Sequence, residues 1–171
     1  MKLHPEIAYL LGALRDSTID VRKAKNYEIK IAQKETKWLF VVQKIFLNHF
    51  GVEGKITQHT KDAKILRING KEIVNKIIEI SQMKIPQENW NTPDIIKNQD
   101  ISVQLEYVKG FFDAEGGLPR DPQKASQKYI CFGQKNKESI EFVRNVLIRN
   151  GFNPTNLTRC GGVWEFRLTR K

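Results

Sequence analysis

The sequence predicts an α+β fold made of two pseudo-twofold related αββαββ repeats, and three observations predict it. The first is a duplicated helix that ends in a carboxylate: YLLGALRDSTI at residues 9–19 and YVKGFFDAEGGL at residues 107–118. The second is that the text after each helix is also repeated, IKIAQKETKWLFVVQKIFLNHFG from Ile29 against ICFGQKNKESIEFVRNVLIRNGF from Ile130. Ile29 and Ile130, Ile31 and Phe132, Gln33 and Gln134, and Lys34 and Lys135 correspond there at a single offset of 101. The third is the closing strand of each copy, Leu66-Arg67-Ile68 against Phe166-Arg167-Leu168, at an offset of 100.

Each element follows from a local pattern. Residues 5–16 set Ile7, Leu10, Leu11 and Leu14 on one helical stripe, with Pro5 suited to the first turn. Ala8, Gly12 and Ala13 lie among them, and small residues let two helix backbones approach closely. A hairpin follows, 18–22 and 27–34, around a basic turn. In its second strand Tyr27, Ile29 and Ile31 alternate with Glu28, Lys30 and Ala32, the period of a half-buried strand. Thr36 is placed to cap a helix running to Phe50, with Leu39, Val42, Phe46 and Phe50 inward and Gly51 as its stop. Strands at 55–59 and 64–69 and a helix at 71–81 complete the first copy. The second copy reads as a helix at 101–115, strands at 118–120 and 128–134, a helix at 137–150, and a hairpin of 156–160 and 163–170 turning at Gly161-Gly162. The expected domain plan is therefore a first repeat with its terminal helix at 1–82, an irregular linker with two prolines at 83–100, and a second repeat at 101–171.

A formal charge of +10 is shared evenly. Residues 1–95 carry 16 basic and 11 acidic side chains and residues 96–171 carry 13 and 8, so each part holds +5. An even excess favours one continuous basic surface over a basic tail, and a pseudo-twofold basic molecule suits a pseudo-twofold partner, which duplex DNA provides. The two cysteines and the scattered His4, His49 and His59 have neither disulfide-framework nor zinc-ligand spacing. The start MKLHPEIAYL has no signal-peptide pattern and no apolar run approaches membrane length, which reads as a cytoplasmic, nucleoid-associated protein.

The segment YVKGFFDAEGGL, with a small residue, an apolar pair, an acid, a small residue, an acid and glycine, resembles the second motif of LAGLIDADG homing endonucleases. The duplicated αββαββ pattern extends the resemblance over almost the whole chain, in the single-chain, two-motif, archaeal-like form. It implies that the two motif helices pack at the pseudo-dyad, that their terminal carboxylates share divalent metal over the scissile phosphates, and that two saddle-shaped antiparallel sheets enter the major groove. The chemistry agrees: phosphodiester hydrolysis needs a cation to polarise the phosphoryl oxygen and acidify a water, and hard Mg²⁺ prefers carboxylate oxygens.

Glu115 takes the metal-ligand position of the second motif, and Asp113 is the acid that is more often structural in the family. The first motif has two possible registers. Counted from glycine, Gly110 to Glu115 maps Gly12 onto Ser17, which is not a carboxylate ligand; counted from the next strand, Asp16-Ser17-Thr18-Ile19 matches Glu115-Gly116-Gly117-Leu118. The strand register is preferred, because the acid must lie where helix gives way to strand, and it sets Leu11 where the second copy has Gly110. Asp16 and Glu115 are thus the expected metal ligands. The resemblance adds Gln33 and Gln134 as polar neighbours of the active site, and Lys34, Lys71 and Lys135 as candidates for a basic residue near the scissile phosphate. The outward strand positions are the expected DNA contacts: Thr18, Asp20, Arg22, Glu28, Lys30, Lys55, Thr57, His59 and Arg67 in the first copy, and Arg120, Lys128, Tyr129, Thr158, Arg159, Glu165 and Arg167 in the second.

The reading that results is a monomeric homing endonuclease that makes double-strand cuts in a long, pseudo-palindromic DNA site with Mg²⁺, Mn²⁺ or Ca²⁺ being able to substitute in binding. No splicing blocks are recognised, which reads as a free-standing or intron-encoded enzyme. The rival reading is a non-cleaving DNA or RNA binder on the same scaffold, such as an intron maturase acting on intron RNA, or a regulator.

Overall fold

The computed structural model describes residues 2–21, 26–83, 90–119, 121, 123, 124 and 128–169. Helix α1 (Pro5–Ala13) opens with His4 as its cap and Pro5 in the first turn, and passes through a 3₁₀ turn (Leu14–Asp16) into strand β1 (Ser17–Val21). Strand β2 (Tyr27–Gln33), helix α2 (Thr36–Phe50), strands β3 (Lys55–Thr60) and β4 (Ala63–Asn69) and helix α3 (Lys71–Ser81) follow. A short helix α4 (Asp94–Lys97) precedes α5 (Ile101–Glu115), β5 (Gly116–Gly117), β6 (Tyr129–Gln134), α6 (Lys137–Arg149), β7 (Thr158–Cys160) and β8 (Val163–Thr169). None of the described helices is long and apolar enough to cross a membrane.

The strands form two antiparallel four-stranded sheets of matching order, β1-β2-β4-β3 and β5-β6-β8-β7. In the first, Ile29 and Ile31 of β2 stand beside Ile68 and Leu66 of β4, and all four are buried under the helices. The period of two then turns Lys30 and Arg67 to the other face. In the second sheet Phe132 and Phe166 take the same inward places and stack with ring centroids 4.9 Å apart. Leu39, Val42 and Phe46 of α2 are buried while Phe50 is partly covered, and one core runs from these through α1 and α5 to Ile140, Val143 and Val146 of α6.

Several boundaries differ from the sequence expectation for physical reasons. Helix α2 is capped by Glu35, whose carboxylate accepts from Lys37 N at 3.0 Å, so Thr36 is the first helical residue instead of the cap. The strand expected at 118–120 lies earlier, at Gly116–Gly117, because it pairs with Phe132 and Cys131 directly after the helix, while Pro119 has no N–H to give a ladder. The segment expected to be an irregular linker contains α4, and it is tied down: Trp90 and Thr92 are buried, and the Trp90 carbonyl accepts from Arg15 at 2.6 Å and from Ser139 at 3.3 Å. The turn at Gly161-Gly162 is as expected, with φ of 56° and 85° that favour glycine at both places.

Candidate functional site

The site begins with the contact between α1 and α5. A Cβ on Gly12 would fall on the Tyr107 carbonyl oxygen and 2.6 Å from Phe111 N; one on Gly110 would fall on the Tyr9 carbonyl oxygen and 2.9 Å from Ala13 N. The two helices therefore touch backbone to backbone, glycine beside glycine, at an offset of 98. This corrects the expectation that Leu11 takes the place matching Gly110: Leu11 is a buried core residue, and Gly12 keeps the crossing.

The difference in motif length is absorbed just beyond the glycines. From Gly110 to Glu115 the helix stays α, and five residues rise about 7.5 Å. From Gly12 to Asp16 there are only four residues, but three of them are in the 3₁₀ turn, so the rise is again about 7.5 Å. The strand ladder then places both acids alike. Ser17 pairs with Ile31 and Gly116 with Phe132, partners that correspond at the offset of 101, so Asp16 and Glu115 hold the same position at the mouth of each sheet. Ser17, the residue of the rejected register, is buried and donates its hydroxyl back to the Leu14 carbonyl at 2.6 Å.

Each carboxylate is held by the glutamine of its own repeat. Gln33 Nε2 donates to Asp16 Oδ2 at 2.8 Å, and Gln134 Nε2 donates to Glu115 Oε1 at 2.9 Å. Burial raises the Asp16 carboxyl above its ordinary range, against the Gln33 hydrogen bond. Burial lifts Glu115 further, to about 7, and the negative charge of Asp16 adds to it, while the Gln134 hydrogen bond and the Arg15 charge oppose the rise. Two partly desolvated acids, with Glu115 raised also by the Asp16 charge, form a site short of positive charge. A hard divalent cation fits that donor set, with oxygens fixed by amide donors and one flank in water.

Arg15 escaped the sequence reading. It is buried, donates to the Trp90 and Asn91 carbonyls at 2.6 and 3.4 Å, and lies over the Trp90 ring at 4.7 Å. It opens into a cleft of ≈ 570 Å³ whose walls include Glu115, Gln134 and Lys135. Aligning the motifs on glycine would have found it, because Arg15 then matches Asp113, a reversal of charge. Of the candidate lysines, Lys135 lines that cleft and Lys34 is exposed next to Gln33. Lys71 is not brought to the site: its Nζ lies 5.9 Å from the centre of the Tyr27 ring, at the opposite end of β2 from Gln33, about 20 Å along the strand. The chain runs up β4 away from Gln33 before it reaches Lys71. Lys64, which pairs with Gln33, is the lysine that the sequence reading missed.

The outward face of the first sheet carries a cross-strand row of Thr18, Lys30, Arg67 and Lys55. Beside it Lys30 pairs with Asp20 at 2.5 Å and Arg67 with Glu28 at 2.8 Å. Thr57 shares that face, and His59 is exposed at the irregularity between Gln58 and Thr60. In the second sheet Thr158, Glu165, Arg167 and Tyr129 face outward, with Arg167 over the Tyr129 ring at 4.7 Å. Arg159 does not join them. It pairs with Trp164, whose side shares the face of Gln134, because consecutive strand residues alternate and Thr158 takes the outward place. Lys128 is exposed but precedes the ladder, so no strand face sets its direction. Arg22 and Arg120 lie outside the described residues.

Comparison with known proteins gives these features a context. Residues 102–164 match the model of a LAGLIDADG-like domain. Homing endonuclease I-ApeI of Aeropyrum pernix is 27% identical over 172 residues, covering 94% of this chain and 73% of that protein. The fold is shared with I-DmoI, solved in complex with DNA and Mn, at a TM-score of 0.68 and 18% identity over 96% of this chain and 89% of that one. I-DmoI has also been solved with DNA and Ca. I-WcaI bound to its DNA recognition sequence matches with a TM-score of 0.63 and 16% identity, over 99% of this chain and 77% of that one.

Proposed function

We propose that this chain is a LAGLIDADG-type, site-specific DNA endonuclease whose two carboxylates each serve the cutting of one strand of a long, imperfectly palindromic duplex. The observation that carries the proposal is the pairing of Asp16 and Glu115 at equivalent helix ends, each oriented by its own glutamine. Asp16 and Glu115 would hold Mg²⁺, and the bound cation supplies phosphoryl polarisation and a more acidic water. Gln33 and Gln134 each fix one carboxylate oxygen by a hydrogen bond, and Lys34, Lys64 and Lys135 would meet phosphate charge. The structures of I-DmoI in complex with DNA and Mn, and with DNA and Ca, support a divalent cation of this class.

The two repeats, residues 1–82 and 101–171 joined through 83–100, read one half-site each within a single chain. The row Lys30, Arg67 and Lys55 suits phosphates or guanine edges, and Glu28 and Asp20 suit cytosine N4. Because the two outward faces differ in residues, the target is only approximately palindromic.

The test is Glu115→Gln, which removes a ligand charge at nearly constant shape. Cleavage with Mg²⁺ falls by about a thousandfold or more, while affinity for the site holds or rises. Affinity should also drop with salt at a log-log slope of about −3 or steeper, as counterions are released from the duplex. A protein that binds its site but neither nicks nor cuts it with Mg²⁺ or Mn²⁺ would replace this reading with the non-cleaving one.

A further inference from the structure

A second cluster of ligand-type side chains lies at the other end of α1. His4 caps the helix, its Nδ1 accepting from Glu6 N at 3.2 Å, and Glu6 stands in the first turn. His49, in the last turn of α2, sets its Nε2 2.5 Å from Glu6 Oε2. The two imidazoles lie with centroids 4.5 Å apart. One ligand atom from each of the three residues falls within 4.8 Å of the others.

We propose that His4, Glu6 and His49 form a zinc-type transition-metal site that clamps the start of α1 to the end of α2, separate from the Asp16 and Glu115 centre. Bonds of 2.0–2.1 Å to a tetrahedral ion set ligand atoms about 3.3 Å apart. The close Glu6–His49 pair would open by less than an ångström, and the widest pair would close by at most about 1.5 Å, both within side-chain rotation. His4 exchanges its capping bond for the ion if it binds through Nδ1. Two imidazoles and one carboxylate select Zn²⁺, Co²⁺ or Ni²⁺ over Mg²⁺, which disfavours nitrogen ligands. The fourth position is left to water. Asp16 lies ten residues beyond Glu6, about 16 Å along α1 and the 3₁₀ turn, so an ion here does not touch the carboxylate pair. Its effect is to hold α1, the helix that carries Asp16 at its far end, against α2.

The experiment titrates the full-length Glu115→Gln variant, in which the carboxylate centre is weakened, with Zn²⁺ and Co²⁺. Calorimetry should show equimolar Zn²⁺ binding, Co²⁺ should give the visible absorption of a low-coordinate nitrogen-oxygen site, and the melting temperature should rise by several degrees with excess Zn²⁺. His49→Ala and His4→Ala, each added to that background, should weaken the metal by about a hundredfold and remove the melting shift, whatever their melting temperatures without metal. Absence of equimolar binding, or a Zn²⁺ shift that persists in His49→Ala, would overturn the proposal. Either result leaves the nuclease reading untouched, since neither readout depends on DNA cleavage.

Discussion

The two motif ends, Leu14-Arg15-Asp16 and Asp113-Ala114-Glu115, deliver a carboxylate to the same place by different backbones. One is a 3₁₀ turn and the other a continuous α-helix, and the extra rise per residue of the first makes up for its missing residue. What is held constant between the repeats is thus the glycine crossing and the strand register, and the helix type between them is free to vary. The charges around the two ends differ as well. Tyr9 donates its hydroxyl to Asp113 and accepts from Trp38 Nε1 at 2.8 Å, and its phenol is pushed well above the ordinary range by burial and by that carboxylate. Its counterpart Tyr107 is buried with no hydroxyl partner among the described residues, and the residue that matches Asp113 is Arg15. The sheets repeat the contrast. The first presents Lys30, Arg67 and Lys55 in one row, whereas Gly117, Cys131 and Arg167 in the second supply one cation.

The strongest way to break the equivalence of the two ends is to change the acid of the shorter motif. Asp16→Asn should lower cutting of one strand by about a thousandfold, leaving nicked product, whereas Ser17→Ala should cut both strands within a few-fold of the parent. Strand-resolved cleavage on a labelled duplex distinguishes them, and intact double-strand cutting by Asp16→Asn would refute the register. Next in size is the shared crossing. Gly12→Ala and Gly110→Ala each press a methyl into backbone of the facing helix, and each should cost about 3 kcal/mol or prevent folding, seen as a fall in the denaturant midpoint. Similar losses at the two positions would show that the crossing is symmetric even where the motif ends are not.

Arg15→Met probes the asymmetric charge. It leaves the Asn91 carbonyl without its donor and the Trp90 carbonyl with Ser139 alone, at an expected cost of about 2 kcal/mol. It also removes a positive charge that opposes the rise of Glu115, so the midpoint of the Glu115 titration should move upward from about 7.

The raised Glu115 carboxyl also sets a pH dependence of metal-free stability. The folded protein holds a proton on Glu115 up to about 7, while the unfolded chain releases it near the ordinary 4.5. Between those values the unfolded state binds fewer protons, so stability falls as pH rises from about 4.5 to about 7 and levels off above. Melting curves across that window should show the decline, and Glu115→Gln should flatten it. A divalent cation should act the opposite way, binding more tightly as pH passes 7, because it competes with that proton.

Much of this site was readable from residue order. The duplication, the helix of residues 101–115 and the helix of 71–81 follow from periodicity and matched offsets, which are local properties of the chain, while the placing of Gln33 and Gln134 beside the acids was implied by the motif resemblance and is met by their hydrogen bonds to Asp16 and Glu115. Residues whose role depends on distant partners were not readable. Lys71 looked equivalent to Lys34 and Lys135 on paper, yet the direction of β4 carries it to the wrong end of the sheet. Arg159 looked outward until the ladder paired it with Trp164.

By itself the sequence determined the two-repeat α+β architecture, because hydrophobic period and capping act within a few residues of each position, and its motif resemblance singled out Asp16 and Glu115 as the acids to test. Only the tertiary structure decided that Gly12, and not Leu11, lies at the dyad, that Arg15 replaces Asp113 beneath the linker, and that His4 and Glu6 meet His49. Those facts depend on which surfaces of separate elements come into contact, and close packing settles that only when the whole chain is assembled.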